Sequence, residues 1–99
     1  MPRFFFDIHD GFVSPDCEGT ELDGVIHARL EAVRFAGVYL SQRPGLIWDG
    51  SELRVLVFDE HRTLLTTVLL SASDTLTMQQ KIEAEEARVP EALNEPEHG

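Results

Sequence analysis

Four carboxylates lie close together in the first quarter of the sequence, and carboxylate oxygens are the ligands that calcium and magnesium prefer in proteins. They are Asp10, Asp16, Glu18 and Glu21. Their spacing differs from that of an EF-hand loop, which needs acidic ligands at regular alternate positions and a terminal glutamate. We therefore expect these side chains to form turns and to favour the start of a following helix, and we assign no metal and no cofactor to the chain.

Two histidines and one cysteine are the remaining candidates for chemistry. His9 and His27 lie near aspartates such as Asp7, but no second histidine or cysteine follows either of them at zinc-site spacing. Cys17 precedes a predicted helix, where a thiolate is stabilised, yet no oxyanion-hole loop or orienting asparagine is recognisable. An enzyme would need His9, Asp7 and Cys17 or Glu18 to converge in one cleft. We therefore predict no catalytic residues and a non-enzymatic protein.

Arg29 has the most distinctive position of the basic residues, because it lies among the apolar positions of a predicted helix. An unpaired buried charge is costly, so its guanidinium must reach water or a carboxylate. We expect Asp7, Asp16 or Glu18 to be the partner, which would pin the loop from Asp16 to Glu21 onto the helix. As an alternative, Arg29 and this loop would line a regulatory site for an anion, a metal ion or another small ligand.

The composition is that of one acidic globular domain. The chain has 99 residues, 42% of them hydrophobic, and 18 acidic against 8 basic side chains give a net charge of −10. This charge opposes binding to nucleic acid and to anionic membranes, so we expect neither. One cysteine permits no internal disulfide, no signal-peptide core follows Met1, and no apolar run approaches the roughly 20 residues that span a bilayer. We expect a cytoplasmic protein.

Three segments have the composition of β-strands. They are Arg3–His9, Leu53–Asp59 and Leu64–Ser71. In the first segment, alternation places Phe4, Phe6 and Ile8 on one face. The other two form a predicted hairpin whose turn covers residues 59–62.

Between the first and second strands, apolar residues at steps of three and four predict an amphipathic helix over Leu22–Leu40. The face expected to cover the sheet contains Leu22, Ile26, Leu30, Val33, Ala36 and Leu40, and Val25, Ala28, Ala32 and Tyr39 widen it. Thr20 and Asp23 have the spacing of a capping box, so we expect Thr20 to cap this helix. Gly37 costs about 1 kcal/mol relative to alanine inside a helix, which predicts a close approach of the sheet there.

These elements predict one α+β domain over residues 1–74 with the order β-α-β-β. We expect a three-stranded, mainly antiparallel sheet in the order 1-3-2, with the long helix on one face; the alternative places strands one and two side by side and parallel. The acidic tail, residues 75–99, is predicted to be helical over about residues 77–88. We expect residues 91–99 to be disordered.

The predicted hairpin is apolar on both faces, whereas one helix can cover only one face. The second face must therefore meet the tail helix or a second copy of the chain. We expect Phe5 and Trp48 to pack in the core or in such an interface, and His9 to be exposed at a strand end. The sequence thus predicts a homodimer or a module that binds another protein through the sheet face and the strand edge.

Several segments together resemble a family of small bacterial proteins known as the domain of unknown function number 6894. The residues that carry this resemblance are Pro2–Gly11, Asp16–Leu22, Ala28–Ala32, Trp48, Arg54-Val55 and Asp59-Glu60. The resemblance covers about residues 2–71 and leaves the tail outside. It implies a compact α+β domain, and it implies no reaction.

Overall fold

The structure is a computed structural model that describes residues 1–88, apart from the side chains of Asp49 and Arg88. The elements are β1 (Arg3–His9), β2 (Val13–Ser14), β3 (Thr20–Glu21), α1 (Val25–Ser41), a 3-10 helix (Leu46–Asp49), β4 (Leu53–Phe58), β5 (Leu64–Leu70) and α2 (Leu76–Arg88). The predicted α+β class is confirmed. The predicted disorder of residues 91–99 lies outside the described residues.

All strand pairs of the sheet are antiparallel, and the order is β2-β1-β4-β5, with β3 also paired to β1. The predicted count of three strands and the predicted order 1-3-2 were wrong. The strand Leu53–Phe58 lies in the centre beside β1, and Leu64–Leu70 forms the edge. The alternative with a parallel first pair was also wrong, since β1 and β4 run antiparallel.

Strand β3 explains the difference in topology. Its two residues pair antiparallel with the start of β1, so the chain has already reversed direction before α1 begins. Helix α1 therefore connects β3 to β4, which run parallel to each other on opposite sides of β1. A strand of two residues is too short to show a period, so the sequence prediction omitted β3 and connected α1 directly to β1.

Helix α1 packs on the sheet through small side chains. Ala28, Ala32 and Ala36 recur every four residues and are at most 1% exposed. They face the core formed by the sheet residues Phe4, Phe6, Ile8, Leu53, Val55 and Val57. The predicted stripe is therefore confirmed for Ala28, Ala32 and Ala36 and, in part, for Leu22, Tyr39 and Leu40. It was wrong for its large aliphatic residues Val25, Ile26, Leu30 and Val33, which are 54–65% exposed.

The start of α1 also differs from the prediction. Gly24 occupies the N-cap position without a side-chain hydrogen bond, and Thr20 lies in β3, so the predicted capping box does not form. The predicted close approach at Gly37 was wrong as well. This residue is exposed, and a Cβ built there would meet nothing within 4 Å.

The two edges of the sheet are protected to different degrees. Strands β2 and β3 cover the two ends of β1, whereas β5 pairs only with β4 among the described strands. A register shift between Val57 and Phe58 interrupts the β4–β5 ladder. Helix α2 follows β5 and does not pack extensively on any other described element, which leaves Leu76 and Met78 70% and 47% exposed.

We predict that Ala32→Leu lowers the free energy of unfolding by about 1–3 kcal/mol, because added methylene groups at a fully buried contact force α1 away from the sheet. Urea denaturation followed by circular dichroism measures the change. Gly37→Ala is the matched control on the open side of α1, and it should retain or increase stability. Equal losses in both variants would contradict packing through the alanine face.

Candidate functional site

A buried carboxylate lies at the centre of the polar contacts between β1 and its neighbouring loops. Asp7 is 4% exposed. Its Oδ1 accepts a hydrogen bond from the backbone N–H of Asp16 at 3.0 Å, and its Oδ2 accepts one from Arg62 Nη2 at 2.8 Å. Asp7 thus links β1 to the β2–β3 loop and to the β4–β5 turn.

Asp16 completes the pairing of β1 between β2 and β3. Its Oδ2 accepts a hydrogen bond from the backbone N–H of Phe6, and its Oδ1 accepts bonds from Glu18 and Gly19, all at 3.0 Å. Burial raises the pKa of Asp16, but the bonds from Gly19, Phe6 and Glu18 lower it more, so the pKa lies below the ordinary value of 3.8. The carboxylate takes the place of a strand partner at this edge.

Arg62 covers the face of the sheet opposite α1. The residue adopts a left-handed backbone conformation with φ of 61°, which directs the turn between β4 and β5. Its guanidinium carbon lies 4.2 Å from the ring centre of Phe58 and 5.6 Å from that of Phe5. The cation therefore pairs with Asp7 and shields two aromatic rings from water.

The β2–β3 loop approaches β1 closely at Gly19. This glycine has a φ of 76°, and a Cβ there would lie 2.7 Å from Arg3 Cγ and 2.9 Å from Phe5 Cε2. Arg3 holds the same loop by donating to the Glu18 carbonyl at 2.8 Å and to the Glu21 carboxylate at 3.1 Å. Only a glycine permits this approach without displacing those side chains.

Asp10 lies at the other end of β1 and accepts a short hydrogen bond from the Tyr39 hydroxyl of α1. This bond lowers the pKa of Asp10 and raises the pKa of Tyr39. Arg43 lies 4.0 Å above the Tyr39 ring. Asp10 therefore ties the end of β1 to the end of α1.

These contacts occupy three of the four carboxylates singled out from the sequence. Asp10 binds Tyr39, Asp16 binds backbone N–H groups, and Glu21 binds Arg3. Within residues 1–88, no group of three or more histidine, cysteine, aspartate or glutamate side chains is arranged to hold a metal ion. The loop thus has a structural role in this arrangement.

A second region of interest is the surface between α1 and β5. We define the α1–β5 surface as Val25, Ile26, Arg29, Leu30, Val33, Leu65, Thr66 and Val68. Two adjoining hollows of about 370 and 440 Å³ lie on it, and Arg29 and Thr66 line both. Its four large aliphatic residues from α1 are 54–65% exposed. This is an apolar surface open to solvent.

Arg29 is the single charged residue of the α1–β5 surface as defined. The predicted pairing with Asp7, Asp16 or Glu18 was wrong, because Arg62 is the partner of Asp7 and backbone groups are the partners of Asp16. Arg29 makes no hydrogen bond or ion pair within the part of the chain that the structure describes. The loop at Asp16 lines a different hollow, of about 430 Å³, so the structure does not unite it with Arg29 in one cavity.

A comparison with protein-family models places residues 3–71 in the domain of unknown function DUF6894. The chain belongs to this family. The match confirms the resemblance found in the sequence, and it includes both the Asp7 network and the α1–β5 surface of the DUF6894 domain. No curated protein and no solved structure matched the chain.

The other predicted residues of the DUF6894 domain are dispersed. His9 is half-buried at the end of β1, and Cys17 is an exposed free thiol in the β2–β3 loop. Phe5 is partly covered by Arg62, whereas Trp48 is 57% exposed on the 3-10 helix. None of the helices in the described region is long and apolar enough to cross a membrane.

Sequence reasoning missed Arg62, which is the partner that Asp7 requires. A signal for the turn was present, since Asp59 precedes Arg62 and accepts hydrogen bonds from the backbone N–H groups of His61 and Thr63 at 2.9 Å. Such a bond pattern is typical of an aspartate that organises its own turn. The side-chain direction of Arg62 depends on its left-handed backbone, which no spacing rule predicts.

We predict that Arg62→Met destabilises the domain by about 1–3 kcal/mol, because the buried Asp7 carboxylate loses its charged partner while the aliphatic cover is kept. Thermal and urea unfolding measure the loss. The control is a double-mutant cycle with Asp7→Asn, in which Arg62→Met should cost much less. Additive effects of the two substitutions would contradict direct coupling.

Stability should also depend on the ionisation of Asp16. Its folded pKa lies below 3.8, so it stabilises the fold above about pH 4, and this contribution is lost as the pH falls through the folded pKa. Asp16→Asn replaces an acceptor oxygen with an amide, and we expect it to cost about 1–2 kcal/mol at pH 6 and clearly less near pH 3. Urea titrations of both proteins across this range measure the difference, and a pH-independent difference would count against the proposed role.

Proposed function

We propose that this DUF6894 protein is a small, non-enzymatic interaction module of the bacterial cytoplasm that associates with itself through the α1–β5 surface. The observation that carries the proposal is the outward direction of the large aliphatic residues of α1. Ile26, Leu30 and Val33 are 59–65% exposed on the side of α1 away from its buried alanines, and Val25 is 54% exposed in the first turn of the helix. The single cysteine is compatible with a reducing compartment.

The arrangement of these residues supports association more strongly than their number. Scattered apolar residues are normal on a protein surface, whereas a large contiguous apolar patch is often functional. The exposed residues of α1 adjoin Leu65 of β5, which is 40% exposed, and the two hollows lie between the side chains of α1 and those of β5. A surface with protruding side chains and hollows between them can fit the side chains of a partner.

The distribution of charge supports the same surface. The chain contains 18 acidic residues, yet the α1–β5 surface as defined contains none. Interfaces are depleted of charged residues in their centre and are often enriched in arginine. Arg29 fits this pattern, because it is the only charge there and lacks an intramolecular partner among the described residues.

We predict that Leu30→Glu weakens self-association by at least about tenfold, because burying an unpaired carboxylate in an apolar contact costs more than the 1.4 kcal/mol that corresponds to tenfold. Sedimentation equilibrium and light scattering over a concentration series measure the dissociation constant. The substitution should leave the monomer folded, since Leu30 is 65% exposed.

Phe12→Glu is the control for this experiment. Phe12 is 83% exposed and lies outside the α1–β5 surface, so the variant adds the same charge without affecting the contact. Its dissociation constant should match that of the unmodified protein. A protein that stays strictly monomeric through the micromolar range, or equal weakening by both substitutions, would refute the proposal.

A further inference from the structure

Strand β5 is an edge strand that lacks most of the features that usually protect an edge, and the register shift opposite Val57 and Phe58 is the exception. Native proteins discourage pairing between edges by placing charged residues or proline there, by covering the edge, or by keeping the strand very short. Strand β5 has seven residues, Leu64–Leu70, none of which is charged or a proline. At the opposite side of the sheet, β2, β3 and the Asp16 carboxylate cover β1.

The position of α1 is the second observation. This helix packs over the central strand β4 and the edge strand β5. If two β5 strands paired, the sheet would continue through both copies, and the two α1 helices would lie two to three strand spacings apart, on the order of 10–15 Å. The short end of this range approaches the interaxial distance of about 8–10 Å of packed helices, and the exposed side chains of Ile26, Leu30 and Val33 lie on the side of α1 next to β5.

We infer that two copies of the chain form a dimer by antiparallel pairing of their β5 edges, with the two α1 helices packing against each other across the two-fold axis. This inference rests on the proposed function and specifies the occupant of the α1–β5 surface. One contact then accounts for both unusual features, the unprotected strand and the outward aliphatic face of α1. An isologous contact of this kind closes on itself and does not continue into a fibre.

The amount of apolar surface fits such a dimer. Five apolar residues of the α1–β5 surface are 40–65% exposed: Val25, Ile26, Leu30, Val33 and Leu65. They form an apolar patch on the order of several hundred Å², and the paired β5 backbones add area toward the roughly 800 Å² per partner of a standard interface. The long side chain of Arg29 can extend along the groove and keep its guanidinium in water.

The register follows from the length of the strand. The longest ladder forms when the two-fold axis passes beside Thr67, the middle residue of β5, since Leu64 then pairs with Leu70 of the second copy. Residues directly opposite each other in antiparallel strands have Cα atoms about 4.5–5.5 Å apart. That separation lies within the range that a disulfide can bridge.

The test uses the full chain carrying Cys17→Ser, which removes the exposed thiol. Thr67→Cys in this background should form a covalent dimer upon mild oxidation, as judged by non-reducing electrophoresis and mass spectrometry. Ser14→Cys is the matched control, because Ser14 is exposed on β2 at the opposite side of the sheet. This control should remain largely monomeric under the same conditions.

Hydrogen exchange provides a second measurement that needs no substitution. Amides of β5 should become protected as the protein concentration rises through the dissociation constant, whereas amides of β2 should not. If sedimentation shows a dimer but Thr67→Cys cross-links no better than Ser14→Cys and β5 gains no protection, the edge pairing is wrong and the proposed function stands. If the protein is monomeric throughout, both fail.

Discussion

The close contact of α1 with the sheet determines how the rest of this chain distributes its hydrophobic surface. Ala28, Ala32 and Ala36 present almost no side-chain volume, so the helix backbone lies near the sheet and the alanines are at most 1% exposed. A helix has room for few residues in such a contact, and the larger aliphatic side chains must point sideways or outward. The same contact that closes the core therefore creates the apolar α1–β5 surface.

Polar contacts cover part of the opposite face of the sheet, on which no described helix packs and where Leu64 and Leu69 are about half exposed. Arg62 lies over Phe58 and pairs with Asp7, and the β2–β3 loop reaches the same region through Asp16 and Gly19. The buried Asp7 carboxylate needs the positive charge of Arg62 as a partner, and the backbone N–H of β1 at Phe6 needs the Asp16 carboxylate as a hydrogen-bond acceptor. The acidic loop next to β1 thus supplies hydrogen-bond acceptors to backbone N–H groups.

The sequence predicted the long strands well and the orientation of the helix poorly, for a physical reason. Alternating residues mark Arg3–His9, and apolar β-favouring residues mark the hairpin, whose observed strand ends, Phe58 and Leu70, lie one residue before the predicted ones. Strands β2 and β3 contain two residues each, too few for any period. The apolar pattern of α1 indicates where its large side chains lie. The face that packs on the sheet is determined by how closely the helix can approach the strands, and the small alanine side chains permit the closest approach.

Net charge and edge exposure act together in this fold. A charge of −10 disfavours random association of copies, because like-charged surfaces repel each other at most orientations. The α1–β5 surface as defined contains no acidic residue, and β5 itself carries no charge, so repulsion is weakest where the apolar area and the free strand edge coincide. Charge repulsion would therefore favour the proposed pairing of β5 edges over other contacts between copies, because Arg29 is the one charge of the α1–β5 surface and it is positive. In the proposed dimer, repulsion between the acidic surfaces elsewhere would take over the protective role that charges on an edge strand usually have.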